Sequence, residues 1–167
     1  MSADVEEGVT IRREIRPGDL GRVTALHGVL YAAEYGFDHR FEAYVGRTLA
    51  EFGESAPPGP GLLWLAERAG RLVGTVGIVE REEGAAQLRW LLVDPTARGQ
   101  GLGERLIDEA LAFCRGEGYR TVFLWTVHVL TEAARLYVRA GFRKTEEKPL
   151  APLWGAMLAE ERYDLML

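Results

Sequence analysis

Residues 87–105 read QLRWLLVDPTARGQGLGER, and this stretch decides the fold. Residues 88–93 form an apolar run of strand length, which ends at Asp94-Pro95 because proline cannot continue a β-ladder. Glycines follow at the alternate positions 99, 101 and 103, and an apolar pattern with helical spacing begins at Leu102. The stretch therefore predicts a strand, a glycine-rich turn and a helix.

The turn is suited to binding phosphate. A helix start leaves about four backbone N–H groups unpaired and carries about half a positive charge. Glycine has no Cβ, so phosphate oxygens can approach those N–H groups directly. A turn that only packs a helix onto a sheet has the same short signature, and the glycines alone favour that plainer interpretation.

The amino-acid sequence of the loop also resembles a family signature. Residues 98–103, RGQGLG, fit the Q/R-x-x-G-x-G/A signature and so resemble the GCN5-related N-acetyltransferase (GNAT) superfamily. Residues 136–142, LYVRAGF, resemble its L-Y-x-x-x-G-F segment. The resemblance implies a single α/β domain of the α+β type. It has a mixed, mostly antiparallel central sheet flanked by helices, with two splayed strands that hold an acyl-CoA.

We assign residues 9–167 to this N-acetyltransferase domain and residues 1–8 to a flexible N-terminal segment. The sequence of residues 31–41, YAAEYGFDHRF, also resembles GNAT domains that follow a MarR-like winged helix in other proteins. The chain has no room for such a domain, so a DNA-binding role is not supported. Three strands in succession before the loop disfavour a Rossmann-type nucleotide binder, which would alternate strand and helix from the start.

The remaining elements follow from local signals. Pro17 as first helical residue or Asp19 as N-cap starts the first helix, Asp38 caps the second and Thr131 caps the last. The other predicted elements are strands at 9–15, 62–69, 72–80, 122–127, 142–147 and 161–167, with a tight hairpin at Gly70-Arg71 and a stiff connector at 55–61. We expect residues 148–159 to form a loop that folds over the substrate.

Acetyl-CoA is the acetyl donor that the resemblance implies. Backbone N–H groups of the 98–103 loop would bind its pyrophosphate, an N–H near Leu92 would polarise the carbonyl, and Tyr137 would protonate the departing thiolate. Leu130 stands where many members have an asparagine that contacts the pantetheine arm, and His128 is the nearest substitute. The predicted catalytic residues are Tyr137 and Leu92, and the predicted cofactor-binding residues are Leu91, Leu92, Val93, Arg98, Gly99, Gln100, Gly101, Leu102, Gly103, His128 and Tyr137.

The acceptor side is predicted at the corner between the first two helices, where Glu34, Tyr35 and Asp38 would bind the substrate. An equally good interpretation is that aromatic residues of this corner only fill the core. The general base stays open among Glu80, Glu34, Asp38, His128 and a water molecule. Tyr137 shares a helix face with apolar residues, so its hydroxyl points towards the core.

Bulk properties limit the partners. A net charge of −5 disfavours nucleic acid. The absence of an 18-residue apolar run or a leader argues against membrane and secretion, and so for the cytoplasm. Histidines and the one cysteine, Cys114, show no metal-ligand spacing, so no metal is expected. The predicted partner is a primary amine of a small molecule or peptide, which attacks the acetyl group directly in a ternary complex, and sheet edges are compatible with a homodimer. The alternative is a non-catalytic acyl-CoA-binding or sensor module.

Overall fold

A seven-stranded mixed sheet forms the centre of the computed structural model, which describes residues 8–167. The strands are β1 (Thr10–Glu14), β2 (Pro60–Arg68), β3 (Arg71–Glu80), β4 (Ala85–Val93), β5 (Thr121–Val127), β6 (Arg143–Glu147), β7 (Ala151–Leu153), β8 (Ala156–Leu158) and β9 (Glu160–Met166). The helices are α1 (Asp19–Tyr35), α2 (His39–Ser55), α3 (Leu102–Gly116) and α4 (Thr131–Ala140). The sheet order is β1-β2-β3-β4-β5-β9-β6, in which only β4 and β5 pair in parallel. This confirms the predicted α/β class; residues 1–7 of the predicted flexible segment lie outside the described residues.

Two hydrophobic cores lie on opposite faces of the sheet. Strand β2 shows how alternation separates them: Trp64 and Ala66 pack in the core beneath α3 and α4, whereas Leu63 and Leu65 pack in the core beneath α1 and α2. We call these the α3–α4 core and the α1–α2 core. Burial on both faces explains why the central strands read as nearly continuous apolar runs.

Strand β4 contains a bulge at Trp90. The pairing with β3 shifts between Thr75 and Gly77, and Trp90 has a φ of 53°. Leu88 packs in the α3–α4 core, but Trp90 packs in the α1–α2 core, so the extra residue reverses the alternation. A Cβ on Gly77 would lie 2.5 Å from Trp90 Cε3, which explains why glycine faces the bulge.

Strands β4 and β5 diverge beyond the bulge. Their parallel pairing covers only three positions, from Ala85 with Thr121 to Gln87 with Phe123. Strand β4 continues to Val93 and β5 to Val127, so an open gap lies between their carboxyl ends. The predicted splay is therefore confirmed, and it opens next to the glycine turn.

Helix starts agree only partly with the predictions. Asp38 caps α2 as predicted, because its carboxylate accepts from the Arg40 amide. The N-cap of α1 is instead Gly18, with Asp19 as first helical residue, because the Asp19 carboxylate is engaged by Arg12 and by the Arg16 amide. The N-cap of α4 is Leu130 rather than Thr131, because the turn that starts at Val127 leads directly into the helix. Both of those predictions were wrong.

Residues 148–159 are more ordered than the predicted loop. They contain the β7–β8 hairpin, whose turn is Trp154-Gly155, with φ of 52° and 81°. Positive φ at both turn residues is typical of a two-residue hairpin. The Asp38 N–H donates to the Trp154 carbonyl at 2.9 Å, so the hairpin is attached to the start of α2.

Candidate active site

A cleft of about 500 Å³ lies between β4, the start of α3 and α4. Eight of the residues predicted to bind the cofactor line it: Leu91, Leu92, Val93, Arg98, Gly99, Gly101, Leu102 and Gly103. The side chain of Gln100 instead accepts from Arg68 at 2.5 Å, and Gln100 does not line the cleft.

The glycine turn presents bare backbone to this cleft. Gly99 and Gly101 have φ of 75° and 76°, and a Cβ built on either would meet no atom within 4 Å. Open space over left-handed glycines at the start of a 15-residue helix suits phosphate oxygens, which need short distances to N–H groups. Gly103 has a different task, because a Cβ there would lie 2.8 Å from Leu136 Cδ1 of α4. The donor set therefore fits the pyrophosphate of a coenzyme A.

Arg98 is held in a fixed position at the cleft. Its two terminal nitrogens donate to the two carboxylate oxygens of Glu34 at 2.9 and 2.7 Å, and its Nε donates to the Val93 carbonyl at 3.0 Å. The hydrogen bonds to Glu34 raise the pKa of the guanidinium above its ordinary value. Glu34 therefore organises the cofactor side, although the sequence placed it on the acceptor side.

The ladder decides which amides of β4 face the gap. The Asp94 N–H donates to the Val73 carbonyl at 2.8 Å, and Leu92 is paired with Thr75, so the amide of Leu92 also points to β3. Leu91 and Val93 alternate with these residues, and their carbonyls accept from groups outside β3, Tyr31 Oη and Arg98 Nε. The N–H groups of Leu91 and Val93 therefore face the gap. This differs from the sequence-based expectation, which gave the carbonyl-polarising N–H to Leu92.

A second cavity, of about 290 Å³, lies on the other side of the gap. Its walls come from α1, α2, β4, β5, α4 and the β7–β8 hairpin, and eight large aromatic side chains line it: Tyr31, Phe37, Phe41, Tyr44, Trp90, Trp125, Tyr137 and Trp154. Tyr31, Leu91 and Leu130 line both the cleft and this cavity. The two spaces therefore meet at the bulged strand, and we call the second one the acceptor cavity.

Tyr137 lies on the acceptor-cavity side of this junction and does not line the cofactor cleft, although the sequence analysis counted it among the cofactor-binding residues. Its side chain is 6% exposed and lines the acceptor cavity, and its ring packs against Phe142 and Tyr163. Within residues 8–167, its hydroxyl has no hydrogen-bond partner. Burial raises the pKa of the phenol, so the hydroxyl keeps its proton. It is therefore a free donor directed at the cavity.

His27 is a buried polar residue that the sequence analysis did not identify as a site residue. Its Nδ1 lies 2.8 Å from the Val23 carbonyl, so Nδ1 carries the proton and Nε2 has the free lone pair. Nε2 is buried without a partner, and His27 lines the acceptor cavity. Burial lowers the pKa of the imidazole to about 4, so it is neutral. The signal in the sequence was a histidine on the apolar face of α1, four residues after Val23 and four before Tyr31.

The predicted substrate residues do not line the acceptor cavity. Tyr35 lines the cofactor cleft, where partial burial raises its pKa. Asp38 caps α2 and accepts from the Arg40 guanidinium, and a Cβ built on Gly155 of the hairpin turn would lie 2.8 Å from Asp38 Oδ2. The aromatic residues of their corner, Phe37 and Phe41, pack in the α1–α2 core and also form part of the cavity wall.

The predicted base candidates also lie elsewhere. His128 Nδ1 accepts from the Ala159 amide at 3.0 Å, and His128 lines neither space. The carboxylate of Glu80 accepts from the Tyr119 hydroxyl at the opposite end of β3. Leu130, at the position of the missing asparagine, is in the lining of both spaces as an apolar contact.

Comparison with known proteins gives the family. The model of the acetyltransferase (GNAT) family matches residues 25–142, so the chain belongs to this family. Human N-acetyltransferase 8B is 39% identical over 87 residues, which are 49% of this chain and 38% of that protein. The chain thus spans well under two thirds of the length of the curated relatives it matches. None of the proteins named here is described as joined to a MarR-like regulator.

Solved structures show the same fold. A Desulfovibrio desulfuricans protein assigned to the GNAT family superposes with a TM-score of 0.73 at 23% identity, covering 95% of this chain and 99% of that one. A Salmonella typhimurium protein, yncA, whose structure contains its cofactor acetyl-CoA, gives a TM-score of 0.72 at 18% identity, covering 95% and 94%. Within residues 8–167, no helix is long and apolar enough to cross a membrane, and no three potential ligand side chains converge on a metal site.

Proposed function

We propose that this protein transfers an acetyl group from acetyl-CoA to a primary amine of a small molecule or peptide. The observation that carries the proposal is the junction of the cofactor cleft with the acceptor cavity at Tyr31, Leu91 and Leu130. A module that only bound acyl-CoA would need the cleft alone. The acceptor cavity is lined by polar side chains and opens onto the same strand, β4, and this second space supports a transferase.

The cofactor would be held by the described donors of the cleft. Backbone N–H groups of the 98–103 loop would bind the pyrophosphate, and Arg98, whose charge is compensated by Glu34, would offer the remaining N–H groups of its guanidinium at the same edge. When bound, acetyl-CoA supplies an acetyl thioester, and transfer forms an amide on the acceptor nitrogen and releases the CoA thiol. The gap-facing N–H groups of Leu91 and Val93 are positioned to donate to the carbonyl oxygen.

Two side chains would handle protons. The hydroxyl of Tyr137 donates to the sulfur that leaves. His27 Nε2 accepts a hydrogen bond from the acceptor nitrogen and so orients the neutral amine. An imidazole with a pKa of about 4 is too weak a base to deprotonate an ammonium group, so we propose that the amine loses that proton to the bulk solvent before it binds in the neutral form.

Direct attack of the amine agrees with the position of the one cysteine. Cys114 lies on α3, is fully buried and lines neither the cleft nor the acceptor cavity. Burial raises the pKa of its thiol to about 11, so it is not a nucleophile at neutral pH. The proposed transfer therefore takes place directly within a ternary complex, without an acetylated Cys114 as intermediate.

The test combines turnover with binding. Free-CoA release is measured over a panel of amines, amino acids, polyamines and peptides, and acetyl-CoA affinity is measured by calorimetry. Gly101→Asp places a carboxylate in the cradle and should abolish acetyl-CoA binding. Gly118→Asp is the matched control, because Gly118 also has a positive φ, 81°, and open space, but lies beyond the far end of α3. Binding without turnover of any amine would favour the sensor module, and unchanged affinity in Gly101→Asp would remove the cofactor assignment.

A further inference from the structure

Arg89 is the one cation of the acceptor cavity. Of the described residues that line it, Arg89 alone carries a positive charge at neutral pH, since His27 is neutral. Its Nη2 donates to Tyr44 Oη at 2.6 Å, and its guanidinium lies 5.5 Å from the Tyr44 ring and 5.2 Å from the Trp90 ring. The tyrosine hydroxyl and two rings position the guanidinium without neutralising it.

The charge of Arg89 has no carboxylate partner within residues 8–167. Arg12, Arg22, Arg40, Arg98 and Arg162, by contrast, each contact a carboxylate at 3.0 Å or less. Partial burial is the main cause that lowers the pKa of Arg89; the charges of Arg81 and Arg47 lower it further, whereas Tyr44 and Glu51 raise it. A half-buried, unpaired cation is costly to keep, so an anion that entered the cavity would be stabilised there.

The other charge in the cavity is already compensated. Glu160 lines the same cavity, but Lys148 Nζ lies 3.7 Å from its carboxylate and rests over the Trp125 ring. The cavity therefore offers one uncompensated positive charge. A carboxylate carries one negative charge and matches a guanidinium through two parallel hydrogen bonds, whereas a phosphate would bring close to two charges.

The remaining walls select for an apolar body. Aromatic side chains of Phe41, Trp90 and Trp154 face the cavity, and its volume of about 290 Å³ is at the small end of the range for ligand sites. An acceptor of amino-acid size fits these limits. His27 Nε2, buried without a partner in the same lining, supplies an acceptor for an amine N–H.

We propose that the acceptor is a carboxylate-bearing amine with an apolar or aromatic body, such as an amino acid, and that Arg89 binds its carboxylate. This inference rests on the proposed function, because it names the substrate class of the same site. Arg89 is then a specificity-determining residue that contacts the substrate away from the reacting nitrogen.

The experiment compares acceptors that differ only in the carboxylate. L-Phenylalanine, L-phenylalaninamide and 2-phenylethylamine are acetylated under saturating acetyl-CoA, and kcat/KM is measured for each. Hydrogen bonds to a charged group are strong enough to change affinity about 10- to 100-fold. We expect wild-type protein to prefer the acid at least about 10-fold. The amide has the less basic and therefore more deprotonated amine, so intrinsic reactivity alone would give the opposite order.

Variants connect the preference to Arg89. Arg89→Gln should lower kcat/KM for the acid about 10- to 100-fold and leave the amide within about twofold. Arg89→Lys keeps the charge and should retain part of the preference. Arg47→Gln removes the same charge beside Tyr44 but outside the cavity, and should change neither substrate. Unchanged acetyl-CoA affinity in Arg89→Gln verifies that the variant is folded.

A binding measurement decides the same point without turnover. Calorimetry with N-acetyl-L-phenylalanine and its amide, on protein without acetyl-CoA, should show that only the acid binds more weakly to Arg89→Gln. Equal use or binding of acid and amide by wild-type protein would overturn the carboxylate assignment, as would equal losses for both in Arg89→Gln. If carboxylate-free amines are acetylated equally well, this inference fails and the proposed function stands. If acetyl-CoA neither binds nor supports turnover, the proposed function fails.

Discussion

Replacement of Tyr137 by phenylalanine removes one oxygen atom from the proposed reaction centre and little else. The ring stacks edge-to-face on Phe142 at 6.0 Å and lies 5.8 Å from Tyr163, and phenylalanine keeps both contacts. Within residues 8–167 the hydroxyl forms no hydrogen bond, so the variant breaks none. The folded state should therefore be as stable as the parent, since no buried partner is left unsatisfied.

The size of the kinetic effect follows from the pKa order. A model thiol has a pKa of about 8.5 and a model phenol about 10. Burial raises the pKa of Tyr137 further, so complete proton transfer to the leaving sulfur is uphill. The hydroxyl instead donates a hydrogen bond to developing negative charge, which contributes about 1.5–3 kcal/mol. Tyr137→Phe should lower the rate of the chemical step by about one to two powers of ten.

Single-turnover rates measured by rapid quench isolate the chemical step from product release. Tyr163→Phe is the control, because it removes the hydroxyl of the neighbouring buried ring, which is bonded to Glu161 and lines neither space. A Tyr137→Phe rate equal to the parent would refute the donor role. A loss of stability in Tyr137→Phe would show that the hydroxyl is structural, and a slower Tyr163→Phe would show that ring packing causes the effect.

Four further predictions follow from the same contacts. Glu34→Ala frees Arg98, so calorimetry should show acetyl-CoA binding weakened about two- to fivefold, with the order of preferred amines unchanged; a changed amine preference would return Glu34 to the acceptor side. Asp38→Ala removes the α2 cap and should lower the free energy of unfolding by about 1 kcal/mol in urea titrations without altering the KM of the amine, and no loss of stability would contradict the capping role. Thr75→Val removes the bond from Thr75 Oγ1 to the Trp90 carbonyl, so kcat should fall more than acetyl-CoA affinity, and equal losses would indicate that the bulge serves only binding. His27 has a pKa of about 4 in the folded state and an ordinary value of 6.5, so the unfolded state binds a proton that the folded state does not. The free energy of unfolding should therefore fall as pH is lowered from about 6.5 to about 4, by about 1.4 kcal/mol for each unit of lowered pKa. His27→Gln should lack this component in unfolding curves, and identical pH profiles would contradict the buried neutral imidazole.

The cofactor half of the site could be predicted because its determinants are local. Glycines at 99 and 101, a strand before them and a helix after them specify the turn within a few residues, and the structure leaves open space over both glycines. The cap of α2 at Asp38 could be predicted for the same reason. Each of these signals acts over one helical turn or less.

The acceptor half could not be predicted because it is assembled from distant parts of the chain. His27, Arg89 and Trp154 come from a helix, a bulged strand and a hairpin that meet only in the folded protein. The orientation of α1 places Glu34 against Arg98. These two residues are 64 positions apart in the sequence, so no local pattern predicts their hydrogen bond. The amide direction on β4 depends on one extra residue at Trp90, and a shift of one residue exchanges the two faces of a strand.

Initial rates over a matrix of acetyl-CoA and amine concentrations test the central claim most directly. If the cleft and the acceptor cavity meet at Leu91, both substrates are bound together before the acetyl group moves. Double-reciprocal plots of CoA release should then give lines that intersect. Parallel lines would indicate an acetyl-enzyme and contradict direct attack, and no amine-dependent release of CoA would contradict the transferase function itself.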